Sequence, residues 1–533
     1  MTAHANRTLI CAPILCDDLV LAREDGERAR LAGADLIEWR VDGVFRGAGD
    51  TEGINAVEML VKQSPLPCIV TCRSHHEGGL YEGDDGERAE LIERLCALDT
   101  PPRYLDVELA SLENDPAFRE RVERVCGRKA NTALAPGLIV SMHDFEGRPD
   151  NLSRRVTALH AIDSASVHKI AFRARSLRDN LEIFDLLSER ERPMIALAMG
   201  EFGLMSRVLA GKFGALLTFA SVRDESTTAP GQPSIADLLG LYRFRSIGGR
   251  TKVYGVIGHP VAHSLSPLVH NAGFESVDHD GVYLPLPVAP GWEPYKATVL
   301  ALSEHRELEF AGASVTLPHK EHASRLAREE GWRLDADARD LGAANTLLDE
   351  RVINTDTNAI AACVNEHCDG ATSALVLGAG GAARAAAWTL KESGWSVTLW
   401  NRTPEHGRHL AQELGVAHVE DLYAGVVEAD LIVNATPVGM TGGPAPDDTP
   451  VPKDLLAKAP AGAVVFDTVY TPIDTVLLRD AKSLDRKTIS GVEMFVTQAA
   501  LQFEAWTGHA APEELFEHMV REKLATEATP PAT

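Results

Sequence analysis

The residues best able to do chemistry in the first half of this chain are a histidine and a lysine, each on a short apolar run. His143 closes Gly137–His143, and Lys169 lies within Ser166–Phe172. A lysine in water is almost wholly protonated, with a pKa of about 10.4. To add to a ketone it must be neutral, and burial within a strand favours that form. An imidazole, with a pKa of about 6.5, can move protons beside it at neutral pH. Arg40, Arg73 and Arg207 can clamp a carboxylate or fix hydroxyls. Glu38 ends another run, and Gln232 lies in the loop after the last one. These groups describe a pocket for an anionic, hydroxylated ketone.

The second half carries different chemistry. Gly378-Ala-Gly380-Gly381-Ala382-Ala-Arg384 joins an apolar run, Ala374–Leu377, to a helical pattern over Ala382–Ser393. Glycines there let the backbone approach a pyrophosphate, and the helix N-terminus favours its charge. The next strand, Ser396–Trp400, ends in Asn401-Arg402-Thr403. An NAD enzyme usually has Asp or Glu at that place, whereas a cation and a hydroxyl suit the 2′-phosphate of NADP. Upstream, Lys320 follows a buried run that breaks at Pro318, and Asp356 sits in Ile353-Asn-Thr-Asp-Thr. Such a pair can pass a proton to a carbonyl oxygen as hydride reaches its carbon. Ser264 and Ser266 precede Pro267 at a helix start, where hydroxyls can hold a carboxylate; Ser266 alone also reads as an N-cap.

Eight apolar runs must position the first set of groups: Thr8–Leu15, Ala34–Val41, Pro67–Arg73, Arg103–Leu109, Gly137–His143, Ser166–Phe172, Met194–Met199 and Leu216–Val222. Amphipathic stretches separate them, which predicts a (β/α)8 barrel with its chemistry at the C-terminal strand ends. A helix over Ser234–Phe244 would close the barrel, and Ser246–Thr251 reads as a short flexible linker. The expected organisation is α/β throughout. A TIM barrel covers residues 1–248, and a small substrate-binding α/β domain covers 249–357, completed by 491–524. A Rossmann domain covers 358–490, and a disordered Thr/Ala/Pro-rich tail covers 525–533.

Composition narrows the partners. At 533 residues the chain needs more than one core. Its net charge of −25 argues against nucleic acid, and no run reaches the about 20 apolar residues of a membrane span. Small molecules are the expected partners, and the sequence is silent on oligomeric state. Cys363, His367 and Cys368 form the one tight thiol–imidazole cluster, short of the four convergent ligands of structural zinc, so no metal is expected. Scattered cysteines and the lack of a signal-peptide core or presequence point to a reducing cytoplasm.

Glu38-Trp-Arg-Val-Asp42, Arg73-Ser-His-His-Glu77-Gly-Gly79, Ser141-Met-His-Asp-Phe145, Lys169, Ser206-Arg207 and Ala229-Pro-Gly-Gln232 together resemble type I 3-dehydroquinate dehydratase, in collinear order. The resemblance implies that Lys169 forms a Schiff base, that His143 moves the proton with Glu77 orienting it, and that Arg207 holds a carboxylate. Thr228 stands where serine is the common alternative. From Gly258 onward, Ser264, Ser266, Ser314-Val-Thr316-Leu-Pro-His-Lys320, Asn345, Asn354-Thr-Asp356, Asn434-Ala-Thr436-Pro437 and Gly491–Gln498 resemble shikimate dehydrogenase. That likeness implies substrate contacts from Ser264, Ser266, Thr316, Asn345, Asp356, Tyr470 and Gln498, with Lys320 as acid/base. It implies cofactor contacts from Gly378, Gly380, Gly381, Ala382, Asn401, Arg402, Thr403, Thr436 and Gly491. Ser314, Ala359 and Glu493 depart from the usual Asn, Gly and Gly. The tandem order is similar to the fused dehydratase–dehydrogenase of plants. Two rivals stay open: a second half that prefers quinate or NAD, and a non-catalytic metabolite sensor.

Overall fold

The computed structural model describes residues 7–47, 49–130, 135–223 and 231–528. It divides into two compact units. One is Met1–Lys252 with Leu286–Ala289 and Ala297–Phe310; the other is the remainder.

The first unit is built on eight strands: β1 (Leu9–Leu15), β2 (Leu36–Arg40), β3 (Cys68–Thr71), β4 (Tyr104–Glu108), β5 (Gly137–Asp144), β6 (Val167–Arg173), β7 (Met194–Met199) and β8 (Leu217–Phe219). They run β7-β6-β5-β4-β3-β2-β1-β8, each paired parallel to its neighbour. Beside β7, the Leu216 amide donates to Met194 O at 2.8 Å, so the sheet all but closes on itself. The interior is layered. Cys11, Leu36, Ile69, Ile139, Val167, Ile195 and Leu217 form an apolar plug. Side chains alternate along a strand, so the residues two places on also face inward. That arithmetic puts Glu38, Ser141, Lys169 and Phe219 in one layer directly above the plug. The polar floor of the site is thus a consequence of strand period and register.

Three details differ from expectation. The closing helix is short, reduced to a π-type segment Asp237–Leu241 and a 3₁₀ turn Phe244–Ser246. Gly248–Thr251 is no loose linker: buried Lys212 donates to Gly249 O (2.8 Å) and Thr251 O (2.9 Å). The final helix runs Glu513–Ala528, so residues 525–528 are helical, and 529–533 lie outside the described residues.

The second unit carries two six-stranded sheets. In the first, β9 (Lys252–Gly258), β10 (Gly281–Pro287), β11 (Phe310–Val315), β12 (Arg333–Leu334), β13 (Thr346–Leu348) and β14 (Arg351–Ile353) are ordered β10-β9-β11-β13-β14-β12. In the second, β15 (Ser373–Leu377), β16 (Ser396–Trp400), β17 (Ala417–His418), β18 (Leu431–Asn434), β19 (Val464–Asp467) and β20 (Thr488–Ile489) form an all-parallel array, β17-β16-β15-β18-β19-β20. Chain order reverses at β15, the switch point where doubly wound sheets bind ligands beyond their strand ends. The Gly491–Thr507 helix returns to the first sheet, packing Val492, Val496, Phe503 and Trp506 around Tyr254 and Phe274.

Candidate active sites

At the barrel mouth a cavity is lined by Glu38, Arg40, Arg73, Glu77, His143, Lys169, Arg207 and Gln232. Lys169 is buried there, its Nζ 2.8 Å from Asp106 Oδ2 and 3.3 Å from Glu38 Oε1. The amine also lies 4.8 Å from the Phe219 ring centroid. Glu38 is held in turn by the Thr71 hydroxyl at 2.7 Å. The amine therefore points inward, within the pocket that His143 also lines.

Asp106 organises this floor, and the sequence motifs did not single it out. Its Oδ1 accepts from Arg73 Nη2 (2.8 Å) and Ser141 Oγ (2.6 Å) while Oδ2 takes Lys169. Burial pushes its carboxyl up, but Arg73 and then Lys169 outweigh that and hold it well below the usual range. Glu108, two residues on, takes Arg73 at 3.2 Å and Arg88 at 2.6 Å. A legible signal existed: Tyr-Leu-Asp106-Val-Glu108 places two carboxylates at inward spacing in an otherwise apolar strand.

His143 follows Ser141 by two residues, one inward step nearer the mouth than Lys169, which pairs with Ser141 in register. Its Nδ1 is 3.0 Å from Glu77 Oε2, and its backbone N–H donates to the same oxygen at 3.1 Å. Burial first, then Arg73 and Lys169, push the imidazole well below its ordinary value, so the ring is neutral at neutral pH. A neutral ring that donates from Nδ1 to a carboxylate leaves the Nε2 lone pair free to take a proton. Burial raises Glu77 to about 7, with Arg73 opposing.

The three arginines are not equivalent. Arg40 makes a two-pronged pair with Asp42 (2.9 and 3.0 Å), and Arg73 serves Asp106 and Glu108. Buried Arg207 has no hydrogen-bond partner at Nε, and burial alone lowers it to about 10. It is the guanidinium left for a carboxylate from outside. Gln232 is buried at the same cavity, and Thr228 lies outside the described residues.

In the second unit Lys320 opens the Lys320–Glu330 helix, and Asp356 lies in the first turn of Thr355–His367. Their Nζ–Oδ2 distance is 2.6 Å. Asn354 caps the latter helix, accepting from Asp356 N at 3.0 Å. Asn345 is fixed beside it by Thr355, whose N–H donates to Asn345 Oδ1 at 2.8 Å. The Ala344 amide donates to Lys320 O at 2.9 Å, so Lys320, Asn345 and Asp356 form one group. Ser266 is inside its helix rather than its cap; the Ser264 hydroxyl accepts its N–H at 3.2 Å. The Ser264 loop is stitched to the Thr316 loop, with the His259 amide on Leu317 O (3.0 Å) and the Thr316 amide on Ile257 O (2.9 Å). Tyr470 and Gln498 are half-buried, on the loop after β19 and on the Gly491–Thr507 helix.

The glycine turn sits at the end of β15. Gly378 has φ +119, and a Cβ there would meet Ala435 O at 2.9 Å, so only glycine fits. Gly380 begins the Gly381–Glu392 helix with no side chain capping it, and nothing lies within 4 Å of a Cβ placed on Gly380 or Gly381. Ala382 comes next in the first turn. Open space before uncapped helical N–H groups fits a pyrophosphate. Asn401 Nδ2 donates to Thr403 O at 2.8 Å, bracing the exposed Arg402–Thr403 corner beyond β16. The Thr436 hydroxyl is bonded to Asn434 Oδ1 at 2.7 Å, and Gly491 packs on the Thr468–Val469 backbone.

The Cys363–His367–Cys368 cluster does not converge. His367 Nε2 meets Glu493 Oε1 at 2.7 Å, and with exposed Glu366 their ligand atoms lie within 4.8 Å of one another. All eight cysteines carry free thiols.

A lysine among carboxylates at a barrel mouth, with a glycine-turn dinucleotide sheet later in the chain, defines a two-site enzyme of carbonyl chemistry. Comparison with known proteins fits each part. Residues 10–248 match the model of type I 3-dehydroquinase. Residues 256–347 match the shikimate dehydrogenase substrate binding domain, 362–439 shikimate / quinate 5-dehydrogenase, and 491–520 the shikimate 5′-dehydrogenase C-terminal domain. A chloroplastic bifunctional 3-dehydroquinate dehydratase/shikimate dehydrogenase of Arabidopsis thaliana is 38% identical over 96% of this chain and 84% of its own length. The NADP(+) shikimate dehydrogenase of Methanothermobacter thermautotrophicus is 39% identical over 52% of this chain and 99% of its own. A crystal structure of shikimate 5-dehydrogenase from Thermus thermophilus, with NADP(H) and shikimate, is 34% identical over 51% of this chain and 99% of its own, with a TM-score of 0.44. The chain belongs to the family of bifunctional 3-dehydroquinate dehydratase/shikimate dehydrogenases.

Proposed function

We propose that the barrel dehydrates 3-dehydroquinate to 3-dehydroshikimate through an imine on Lys169, and that the second unit reduces that product to shikimate. The observation that carries the first step is the inward Lys169 amine in the same cavity as a neutral His143. The amine adds to the ketone and water leaves, giving an iminium that acidifies the neighbouring C–H. His143 Nε2 removes that proton and returns it to the departing hydroxyl, which leaves as water. Hydrolysis of the imine then frees Lys169. Arg207 holds the substrate carboxylate, while Glu38, Arg40 and Gln232 complete the pocket.

Downstream of the barrel, residues 249–357 with 491–524 hold the substrate, and 358–490 hold NADP. Ser264 and Ser266 take the carboxylate, with Thr316, Asn345, Tyr470 and Gln498 around the ring. Bound NADPH supplies the hydride. Lys320, oriented by Asp356, gives a proton to the oxygen that was the ketone. Free thiols support a reducing compartment, which we take to be the cytoplasm. The net charge of −25 supports small-molecule partners, and no helix among the described residues is long and apolar enough to cross a membrane.

One assay tests the whole sequence of steps: 3-dehydroquinate and NADPH are supplied together and shikimate is measured over time. Borohydride added with 3-dehydroquinate should leave a stable adduct on Lys169; absence of the adduct would refute the imine. Faster turnover of quinate than of shikimate in the reverse direction would overturn the assignment of the second substrate.

A further inference from the structure

Asp467 ends β19 fully buried, and among the described residues no cation pairs with it. Three donors surround its carboxylate: Asn434 Nδ2 (2.9 Å) and Val469 N (3.1 Å) on Oδ1, and the Thr475 hydroxyl (2.6 Å) on Oδ2. Each belongs to a loop the proposed function needs. Asn434 uses its other amide end to take both the Thr436 N–H (3.0 Å) and the Thr436 hydroxyl (2.7 Å). Ala435 O and the Thr436 methyl close on Gly378, where a Cβ would lie 2.9 and 3.3 Å from them. Val469 directly precedes Tyr470, and Gly491 packs against Val469 O. The Thr441 amide donates to Thr471 O at 2.8 Å, a second stitch between the same loops.

We infer that Asp467 is a positioning residue for the dehydrogenase: its ionised carboxylate clamps the loop carrying Thr436 to the loop carrying Tyr470, and so sets the cofactor site. This rests on the assignment of those loops to NADP and shikimate. An ionised carboxylate accepts all three bonds at once. Asn434 Nδ2 and Val469 N can only donate, so a proton on the carboxyl must point at Thr475 Oγ1, reversing that bond. Thr475 already accepts the Leu478 N–H at 3.3 Å, so its own hydroxyl proton must turn away. Burial raises the carboxyl to about 6, and the groups acting against burial, Thr475, Val469 and Asn434, are all uncharged. The clamp is therefore complete above about 6; as pH falls through it the Thr475 bond reverses and the Asn434 and Val469 bonds lose their charge assistance. A carboxyl raised in this way favours folding in its protonated form, a contribution lost as pH rises through about 6. The ionised group thus costs stability at neutral pH, which suits a functional clamp better than a structural anchor.

The test is calorimetric titration of NADP+ into the full chain from about pH 5 to about pH 8, for wild type, Asp467→Asn and Thr475→Val. The 2′-phosphate of NADP+ titrates in the same range for every variant, so the ratio of affinities is the readout. Asp467→Asn mimics the protonated acid. It should bind about tenfold more weakly than wild type at the alkaline end, the scale of a lost hydrogen bond near charge, with the ratio closing toward one at the acid end. Thr475→Val removes a donor to the charged form, so its loss of affinity should begin at a higher pH than in wild type. A ratio that does not change with pH, or a Thr475→Val profile that does not move, overturns the clamp. If circular dichroism shows Asp467→Asn unfolded, the Thr475→Val comparison decides alone. Wild type that binds no NADP+ at any pH overturns the cofactor assignment along with the clamp.

Discussion

The two lysines of this chain are set in opposite surroundings. The Lys169 side chain is 6% exposed, mid-strand, between two carboxylates and beside a ring; that of Lys320 is 27% exposed, at a helix start, with a single carboxylate. A group that must form and break a covalent bond to carbon needs a fixed, dry position. A group that only exchanges protons needs one oriented partner and a route to water. The dense network of Asp106, Glu108, Arg73 and Arg88 around Lys169 has no counterpart around Lys320 among the described residues. The barrel thus sets the proposed nucleophile, Lys169, in a charged network, whereas the proposed proton donor, Lys320, meets one carboxylate at a helix start.

The contrast can be broken most severely at Lys169. Lys169→Ala should abolish dehydration, read as loss of 3-dehydroshikimate formation, yet spare reduction of added 3-dehydroshikimate; loss of both activities would mean the units are not independent. Next, Lys320→Ala should lower kcat for shikimate oxidation by about 10²–10⁴-fold while dehydration is unchanged, the range typical of a removed acid/base group. Asp106→Asn sharpens the comparison in the other direction. Removing one partner from a buried ion network costs about 3–5 kcal/mol, so chemical denaturation should show a large loss of stability. Losing Asp356 from its partly exposed pair should cost far less. A finer effect is expected at Glu77. Its carboxyl sits near 7, so dehydration should fall as pH drops through about 7 and Glu77 ceases to orient His143. Glu77→Gln should flatten that acid limb. Because a raised carboxyl loses its stabilising contribution as pH rises through its folded value, the same substitution should keep or raise Tm at alkaline pH. The smallest effect should come from the solvent-facing pair Arg384–Glu413, where Arg384→Ala should move stability by no more than about 1 kcal/mol.

Much of this was legible from residue order. The eight barrel strands, the glycine turn and both lysines stood out because strand period, turn chemistry and helix capping are local properties. The residues that escaped are those whose role is set by register across strands. Asp106 and Glu108 show in the sequence as two carboxylates at inward spacing, but their partners appear only when β4 is placed between β3 and β5, which brings Asp106 to Arg73 and Ser141. The three arginines look alike in the sequence. Only the fold shows that Asp42 occupies Arg40 and that Arg207 is buried with no carboxylate paired to it among the described residues. The helix expected over Ser234–Phe244 is present but shorter, helical over 235–241 and mostly of π type, because packing of the segment, a non-local property, sets its extent.

Lys212 decides where the barrel can be cut free of the rest of the chain. Its buried ammonium takes the carbonyls of Gly249 and Thr251, which lie past the nominal end of the barrel at residue 248. A fragment trimmed there would deprive an interior cation of both acceptors, at a cost of about 1–3 kcal/mol. The peptide that looks like a spacer is in effect the last turn of the dehydratase, and a freestanding version must keep it.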